Sequence, residues 1–322
     1  MKAIVVEHTG GAEALQYQDH EDPRPGPGLG IVRIEAAGVN YIDTYHRSGL
    51  YPAECPFVLG VEGAGRLESV AENAFGLEAG QAVGFVGTMG AYAEKISVPT
   101  EKLIPLPEGT SAKTAAAALL QGMTAHYLTH ATAPLEASDV VLVHAAAGGV
   151  GRLLCQMARR AGARVLGTVS SEEKAALARK AGADEVIRYD REPFDEAVRR
   201  LTKGRGVDVV YDSVGRSTFE RSLDSLRPRG MMVTFGQSSG PIPPLELQVL
   251  NQKGSLFLTR PSLFHYVAER SELLERAGDV FQAIAASELD LHVDRELPLS
   301  EAAAAHRALE SRETKGKVLL IP

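Results

Sequence analysis

Two rhythms of hydrophobic and polar positions run along this chain, and they meet in an alanine-rich stretch. Before it, apolar runs are short and heavily punctuated. Residues 2–7 and the alternating IVRIEA of residues 31–36 read as strands, while Gly10, Gly11, Pro23, Pro25, Gly26, Pro27, Gly28 and Gly30 mark turns and loops. Between Gly65 and Pro99 the segments RLESV, QAVGFVG and AYAEKISVP repeat the short-strand signal, so this part predicts a compact, barrel-like β domain. The run SAKTAAAALLQGMTAHYLTHA, from Ser111 onward, has helical propensity and places a domain boundary near Leu120.

Beyond it the rhythm lengthens. Residues 140–144 are apolar and β-branched, the next few are nearly all small, residues 151–161 carry helical periodicity and 164–169 form a second strand, together one βαβ unit. The alternation continues as strand 185–189, helix 193–201, strand 207–213, helix 217–226, strand 231–235 and strand 255–260. Six-stranded parallel sheets are built this way. Helices at 271–286 and 300–312 and a terminal strand at 317–321 are too few for a third domain and are expected to return to the first. The fold class predicted is α/β: residues 1–120 the first part of a β-rich domain, 121–260 a doubly wound parallel-sheet domain that binds a nucleotide, and 261–322 the return.

The turn inside the βαβ unit is where chemistry is expected. A pyrophosphate needs backbone N–H groups close by and gains from the positive end of a helix, so side chains there must be nearly absent. Ala145, Ala146, Ala147, Gly148, Gly149 and Gly151 meet that requirement. Ala145, Gly148 and Gly151 give A-x-x-G-x-x-G, one substitution from the dinucleotide fingerprint. A tight turn in another kind of α/β protein is the competing reading; the strand before, the helix after and the second strand at the expected distance argue against it. An NADH site usually places a carboxylate at the end of that second strand, roughly 20 residues past the glycines, whereas an NADPH site leaves room and positive charge for the 2′-phosphate. Thr168, Val169, Ser170 and Ser171, with Lys174 one helical turn on, favour NADPH. Glu172 and Glu173 stand against it, but Ser170 and Glu173 make a capping-box pattern and acids suit a helix start, so both are expected to point away from a phosphate. The small-residue stretches DSVGRS and FGQSSG follow later strands, at the sheet end where ligands collect.

Composition narrows the classes further. At 322 residues with 44% hydrophobic content the chain can bury two cores, and a formal net charge of −7 argues against a surface built mainly for nucleic acid. Cys55 and Cys155 make no disulfide framework, and neither has a neighbouring base that marks a nucleophile; Cys155, in the helix after the turn, reads as core. The opening MKAIVVEHTG runs into a strand with no charged-then-apolar leader, and no apolar stretch reaches spanning length, so a cytoplasmic protein without a membrane partner is expected. The nine histidines show no metal-like spacing. His8 and His292 read as surface residues, and the pairs Arg159/Arg160 and Arg199/Arg200 as solvated helix faces.

Residues 36–65, AAGVNYIDTYHRSGLYPAECPFVLGVEGAG, hold Asn40, Tyr41, Asp43, Tyr45, His46, Arg47 and Tyr51 between glycines. Function tends to collect in such stretches beside a β scaffold, although each tyrosine alone is as readily a core residue with its hydroxyl at the surface. The succession of AAGVNYIDTYHRSGLYP, LGVEGAG, LLQGMTAHYL, HAAAGGVG, YDSVG and GSLFLTRPSL, over essentially the whole chain, closely resembles zinc-independent quinone oxidoreductases of the medium-chain dehydrogenase/reductase superfamily, the zeta-crystallin type. The resemblance implies a GroES-like catalytic domain made from both chain ends, a Rossmann domain in the middle, a cleft between them, and a homodimer joined through the Rossmann sheets. It implies that NADPH meets Asn40 and Asp43 at its nicotinamide end, with Tyr127 nearby. Ala147, Gly148, Gly149, Val150 and Gly151 would face the pyrophosphate, and Thr168, Ser170, Lys174 and Tyr189 the adenosine end. Ser213, the loop carrying Phe235, Gly236 and Ser238, and the segment Leu258, Thr259 and Arg260 would line the remaining groove. Tyr45 and Tyr51 look like the family's substrate-pocket aromatics.

The same positions bear on metal and acceptor. Alcohol dehydrogenases of this architecture hold zinc through a cysteine and a histidine that precedes a glutamate. Here those places hold Asn40 and Val61, the latter before Glu62, and two cysteines cannot build a four-cysteine site. Hydride addition to a simple ketone makes an alkoxide that needs a Lewis acid or a placed proton donor, whereas a quinone gives a hydroquinone anion about as basic as tyrosinate, with a pKa of about 10. An amide such as Asn40, a tyrosine hydroxyl or water suffices for such an anion. The expected reaction is metal-free hydride transfer from NADPH to a quinone or other small conjugated acceptor, with Asn40, Asp43, Tyr45 and Tyr51 as catalytic residues and proximity as the main contribution. One-electron transfer stays open at this point. So do reduction of an alkenal or enone, whose enolate is also tolerable without zinc, and an RNA-binding or structural crystallin role, against which the acidic balance and the lack of an aromatic-basic motif argue.

Overall fold

The computed structural model describes residues 1–71 and 74–322. They form two compact units, one of Met1–Met123, Val267–Ala286 and Leu291–Pro322, the other of Thr124–Tyr266 and Ser287–Asp290. In chain order the first unit opens with β1 (Lys2–Val6), β2 (Leu15–Asp19), β3 (Leu29–Val39), α1 (Tyr41–Arg47), β4 (Phe57–Val58), β5 (Glu62–Val70), β6 (Ala82–Val86), β7 (Lys95–Pro99), β8 (Ile104–Pro105) and α2 (Ala112–Tyr127). The second runs through β9 (Val140–Val143), α3 (Gly149–Arg160), β10 (Arg164–Val169), α4 (Glu172–Lys180), β11 (Glu185–Arg188), α5 (Phe194–Leu201) and β12 (Val207–Asp212). It continues with α6 (Phe219–Ser225), β13 (Leu226–Thr234), α7 (Gln248–Gln252), β14 (Phe257–Thr259) and α8 (Leu263–Tyr266). The chain then gives α9 (Arg270–Ala285), β15 (Val293–Pro298), α10 (Ala302–Glu310) and β16 (Lys317–Ile321).

The β-rich unit is completed by its own C-terminus. Strand β16 lies antiparallel to β3, with Val318 opposite Val39 and Leu320 opposite Ala37, in a sheet ordered β15-β16-β3-β5-β6-β8 with β7 also paired to β3. Inward residues of these strands, among them Val32, Ile34, Leu67, Val83, Phe85, Val318 and Leu320, form one buried core. Strand β15 has no counterpart among the expected elements because Asp294, Arg295 and Glu296 interrupt any apolar alternation; it forms on the backbone of β16.

The other unit is a parallel sheet ordered β11-β10-β9-β12-β13-β14. The central strands β9 and β12 are covered on both faces, which is why VVLV and VDVVYD read as near-continuous apolar runs. Leu142, Leu166, Ile187, Val210 and Met232 of the sheet pack with Phe194 and Leu223 of the helices. Strand order runs outward through β10 and β11 on one side of β9 and through β12, β13 and β14 on the other. The reversal beside β9 is the place at which open α/β sheets bind ligands. After Tyr127 the helix widens to one π-type turn over Leu128–Thr132, and the buried Tyr211 hydroxyl lies 3.3 Å from the carbonyls of Leu128 and of Ala133. Helix α3 begins at Gly149, two residues before the periodicity starts, because small residues carry no pattern that distinguishes a turn from a first helical turn.

Candidate active site

At the carboxyl end of β9 the backbone does what side chains do elsewhere. Ala145 lies in the left-handed region at φ 51°, a conformation that favours glycine. Gly148 caps α3 with extended backbone and no side-chain bond, which leaves the first amides of the helix, at Gly149, Val150 and Gly151, without a capping side chain. Gly151 admits no substitute, since a Cβ there would sit 2.2 Å from the Ala145 carbonyl oxygen. Bare amide donors at the positive end of a helix fit an anionic pyrophosphate. Neighbouring strand ends add Ser213, Phe235, Gly236 and Ser238. The Phe235 N–H donates to the Asp212 carbonyl at 2.9 Å and the Ser238 N–H to the Ser213 carbonyl at 3.2 Å, while a Cβ on Gly236 would come within 2.6 Å of the Ser213 carbonyl oxygen.

A buried network braces these strand ends from below. His144 Nδ1 lies 2.9 Å from Thr168 Oγ1, and its Nε2 lies 2.9 Å from Ser222 Oγ. Asp212 Oδ2 accepts from Thr218 at 2.7 Å and Ser222 at 3.1 Å, and its Oδ1 accepts the N–H groups of Val214 and Gly215 at 2.7 and 3.0 Å. Burial holds the His144 imidazole below its ordinary pKa. Two expectations change here. The hydroxyl of Thr168, expected at the adenosine end, is turned into the sheet toward His144, because a polar group on a fully buried strand must find a partner inside. The cap of α4 is Ser171 rather than Ser170: Ser171 has the extended backbone of an N-cap, and its Oγ accepts the Lys174 N–H at 3.3 Å. Glu172 is engaged by Arg179 and Arg188 at 3.1 and 3.3 Å, so that acid is neutralised on the flank of the helix. Tyr189 is exposed.

Tyr127 is buried and its ring stacks on Tyr266 with centroids 4.3 Å apart, and Thr132 donates to the Tyr266 hydroxyl at 2.9 Å. Burial raises the Tyr127 phenol above its ordinary value. Tyr266 was absent from the sequence-predicted set; its signal, an aromatic two positions after another in LFHYV, does not separate it from core. Arg260 Nη1 reaches the carbonyls of Gly236 and Thr234 at 3.3 and 3.4 Å. Leu258, expected in the groove, is on the sheet's outermost strand next to Phe257, and both are exposed. Thr259 ends that strand.

In the β-rich unit, Asn40 and Asp43 are buried at the start of α1. The Asn40 side chain is fully committed: Nδ2 donates to the Gly38 carbonyl at 3.1 Å and to Glu62 Oε2 at 2.8 Å, and Oδ1 accepts from Lys317 Nζ at 2.8 Å. Both amide hydrogens are therefore taken, which corrects the expectation that Asn40 donates to the reduced acceptor. Lys317 Nζ also bonds Glu62 Oε2 at 2.5 Å, and Glu62 Oε1 accepts the Leu120 N–H at 2.7 Å. Gly38 makes the knot possible, since a Cβ there would lie 2.3 Å from Glu62 Oε2. Asp43 Oδ2 accepts the Asn40 N–H at 2.8 Å and the Tyr92 hydroxyl at 2.9 Å, while Oδ1 is buried with no partner among the described residues. Burial lifts the Asp43 carboxyl to about 7, against those two hydrogen bonds and the charge of Lys317. Tyr45 and Tyr51 meet edge to face with centroids 5.2 Å apart, and the half-buried His46 ring stands 5.7 Å from Tyr51. Lys317, Tyr92 and His306 were not legible as site residues; nothing in KVLLI or GAYAE marks a side chain that will be buried against a carboxylate. Among the described residues no group of three or more His, Cys, Asp and Glu is placed to hold a metal ion.

A β-rich unit closed by the chain's own C-terminus, joined to a doubly wound unit with a glycine-lined turn, defines a medium-chain dehydrogenase/reductase, and the GroES-like plus Rossmann expectation is met. Residues 26–108 match the family model of the alcohol dehydrogenase GroES-like domain, and residues 149–279 that of the zinc-binding dehydrogenases. The quinone oxidoreductase of Pseudomonas aeruginosa is 44% identical over 100% of this chain and 99% of its own, and a 2-haloacrylate reductase of a Burkholderia species is 43% identical over 99% and 98%. The crystal structure of Escherichia coli quinone oxidoreductase complexed with NADPH superposes with a TM-score of 0.98 at 43% identity, covering 100% of both chains. Within the superfamily, this chain belongs to the quinone oxidoreductases.

Gly151→Ala forces the turn open, and NADPH affinity falls at least about tenfold for the displacement of one or two backbone amides, read by nucleotide fluorescence titration beside a thermal melt. Two buried titrating groups of the β-rich unit, Asp43 and His306, oppose each other with pH. Asp43, raised from 3.8 to about 7, contributes stability that is complete below pH 4 and lost as pH rises through 7. His306, pushed by burial from 6.5 down to about 3, contributes stability that is complete above pH 6.5 and lost as pH falls through 3. Their slopes cancel between pH 4 and 6.5. Asp43→Asn leaves a protein whose melting temperature rises with pH across that window, and His306→Gln leaves one whose melting temperature falls, the underlying unfolding free energy changing by up to about 1.4 kcal/mol per pH unit.

Proposed function

We propose that this protein reduces quinones with NADPH and does so without a metal ion. The observation that carries the reading is the side-chain-free turn ahead of α3, in a chain alike from end to end to quinone oxidoreductases. Ala147, Gly148, Gly149, Val150 and Gly151 hold the pyrophosphate. Ser170, Lys174 and Tyr189 hold the adenosine phosphate, Thr168 contributes only backbone, and Ser213, Phe235, Gly236, Ser238, Thr259 and Arg260 line the groove with Tyr127 at its nicotinamide end. NADPH supplies the hydride when bound. Tyr45 and Tyr51 offer aromatic surface to a planar acceptor, Asn40 and Asp43 hold α1 in place, and solvent or a tyrosine hydroxyl protonates the reduced acceptor.

Metal independence is supported by the donor set. Around Asn40 a cation is already built in, Lys317 Nζ against Glu62, and the first ligand available to a metal there is a neutral amide that accepts from that ammonium. A second reading, reduction of an activated alkene, is favoured by the 43% identity to the 2-haloacrylate reductase. The homodimer is supported by the outer strand β14, where Phe257 and Leu258 are exposed apolar residues on a sheet edge unpaired among the described residues. A reducing, cytoplasmic setting accords with the unpaired Cys55 and the buried Cys155, whose thiol burial pushes up to about 12. Among the described residues no helix is long and apolar enough to cross a membrane, and the acidic balance gives no reason to expect a nucleic-acid partner.

Cofactor oxidation with 9,10-phenanthrenequinone, 1,4-benzoquinone, a short enone and 2-chloroacrylate, with NADPH or NADH and chelator present, is expected to show the highest kcat/KM for a quinone with NADPH. A preference for the enone or the chloroacrylate moves the assignment to alkene reduction. Lys174→Ala lowers the NADPH-over-NADH preference at least about tenfold, the worth of one charge-assisted hydrogen bond to phosphate. Phe257→Lys shifts the protein toward monomer in analytical ultracentrifugation, and an unchanged sedimentation coefficient removes β14 from the interface.

A further inference from the structure

Helix α1 is short, only seven residues, and it carries Tyr45 on a segment that otherwise consists of loop and strand ends. So short a helix is marginal by itself and takes its position from outside contacts. Those contacts come largely from the other end of the chain. The Tyr41 hydroxyl donates to the Leu309 carbonyl at 2.9 Å, and the Arg47 guanidinium forks onto Glu310 at 2.6 and 3.0 Å. From Arg47 a line of buried polar atoms turns back toward the start of the helix. Arg47 Nη1 lies 3.2 Å from His306 Nδ1, His306 Nε2 lies 3.3 Å from the Tyr92 hydroxyl oxygen, and Tyr92 donates at 2.9 Å to Asp43 Oδ2, which also accepts the Asn40 N–H. His306, Tyr92 and Asp43 have no exposed surface, and Arg47 has 3%.

The direction of every bond in this line is forced. A guanidinium only donates, so His306 Nδ1 must accept and the imidazole is neutral with its hydrogen on Nε2. That hydrogen points at the Tyr92 oxygen. Tyr92 therefore spends its single hydrogen on Asp43 Oδ2, which also holds the Asn40 backbone amide at the helix start. An imidazolium in this place would set a second N–H against Arg47 and add a like charge to a dry site. The charged and titratable groups facing Asp43 are Tyr92 from the loop before β7, Lys317 from β16 and Glu62 from β5.

We propose that His306 is a positioning residue for acceptor binding: by relaying the donor direction from Arg47 through Tyr92 to Asp43, it fixes the first turn of α1 and with it the placement of Tyr45 and Tyr51. This rests on the reading that those tyrosines face the acceptor. Only a side chain that accepts on one side and donates on the other, at this length, can stand in for His306. Glutamine can, with Oε1 toward Arg47 and Nε2 toward Tyr92; leucine cannot.

The test compares His306→Gln, His306→Leu and Tyr92→Phe in the full chain by two readouts. Backbone amide exchange of residues 40–47, followed by mass spectrometry, is expected to match wild type in His306→Gln and to quicken in His306→Leu and Tyr92→Phe. Quinone kcat/KM with phenanthrenequinone is expected to fall by up to about a hundredfold in His306→Leu, as misplaced reacting groups do, less in Tyr92→Phe, and to be recovered in His306→Gln, while the NADPH dissociation constant stays as in wild type. Exchange at α1 that is the same in all three variants overturns the proposal, and so does a glutamine variant as impaired as the leucine one. If His306→Leu does not fold, Tyr92→Phe, which removes one oxygen atom, decides. Because the exchange readout does not need turnover, wild-type protein that fails to reduce quinones would reject the functional reading without touching the result on α1.

Discussion

The Ala145 carbonyl and the Cα of Gly151 approach so closely that no side chain fits between them, and the turn proposed to hold the nucleotide owes its shape to that approach. It pulls the first turn of α3 down onto the end of β9, so that helix amides and strand end share one small surface. The arrangement has a local cost, visible as Ala145 in a left-handed conformation where the fingerprint ordinarily has glycine. Strain of that kind persists only where the surroundings over-determine it. The network of His144, Thr168, Ser222 and Asp212 directly beneath supplies the determination, with every polar atom of Asp212 in use.

The β-rich unit solves a different problem. It must hold a short helix, two tyrosines and the buried ionisable side chains of Asp43, Arg47, Glu62 and Lys317. Burying Lys317 and Glu62 is unfavourable for each alone, and the pair is tolerable only because Asn40 and the Leu120 amide satisfy what the ion pair leaves over. Removing either partner would strand the other charge, so the knot is better understood as specifying one conformation than as adding stability. Its location is informative. Positive charge sits beside the Asn40 amide as the side chain of Lys317, held there by Glu62 without any ion from solution.

Much of this was legible in the sequence, for reasons that can be named. Parallel strands buried on both faces leave continuous apolar runs, so β9, β10 and β12 were readable almost residue by residue, and a turn that excludes side chains announces itself as alanine and glycine. The orientation of single side chains was not readable. Thr168 looked like a contact at the adenosine end because its position along the strand is right, but period-two alternation does not say which polar residue will satisfy a buried histidine from another strand. The Ser170 and Ser171 ambiguity is one of φ and ψ, which neighbouring serines do not disclose. The buried Lys317 depends on contact between opposite ends of the chain, strand β15 forms on the backbone of β16 without a pattern of its own, and Asn40 looked like a free amide because two of its three partners, Glu62 and Lys317, are distant in sequence.

The central claim is that a reduced nicotinamide nucleotide passes its hydride to a quinone with no metal taking part. The most direct measurement is a single-turnover stopped-flow experiment with NADPH deuterated at the transferred position of its nicotinamide ring, phenanthrenequinone as acceptor, and protein dialysed exhaustively against chelator. The account predicts that NADPH absorbance decays with a primary isotope effect and at a rate that added zinc does not change. Decay that disappears on dialysis and returns with zinc would contradict it.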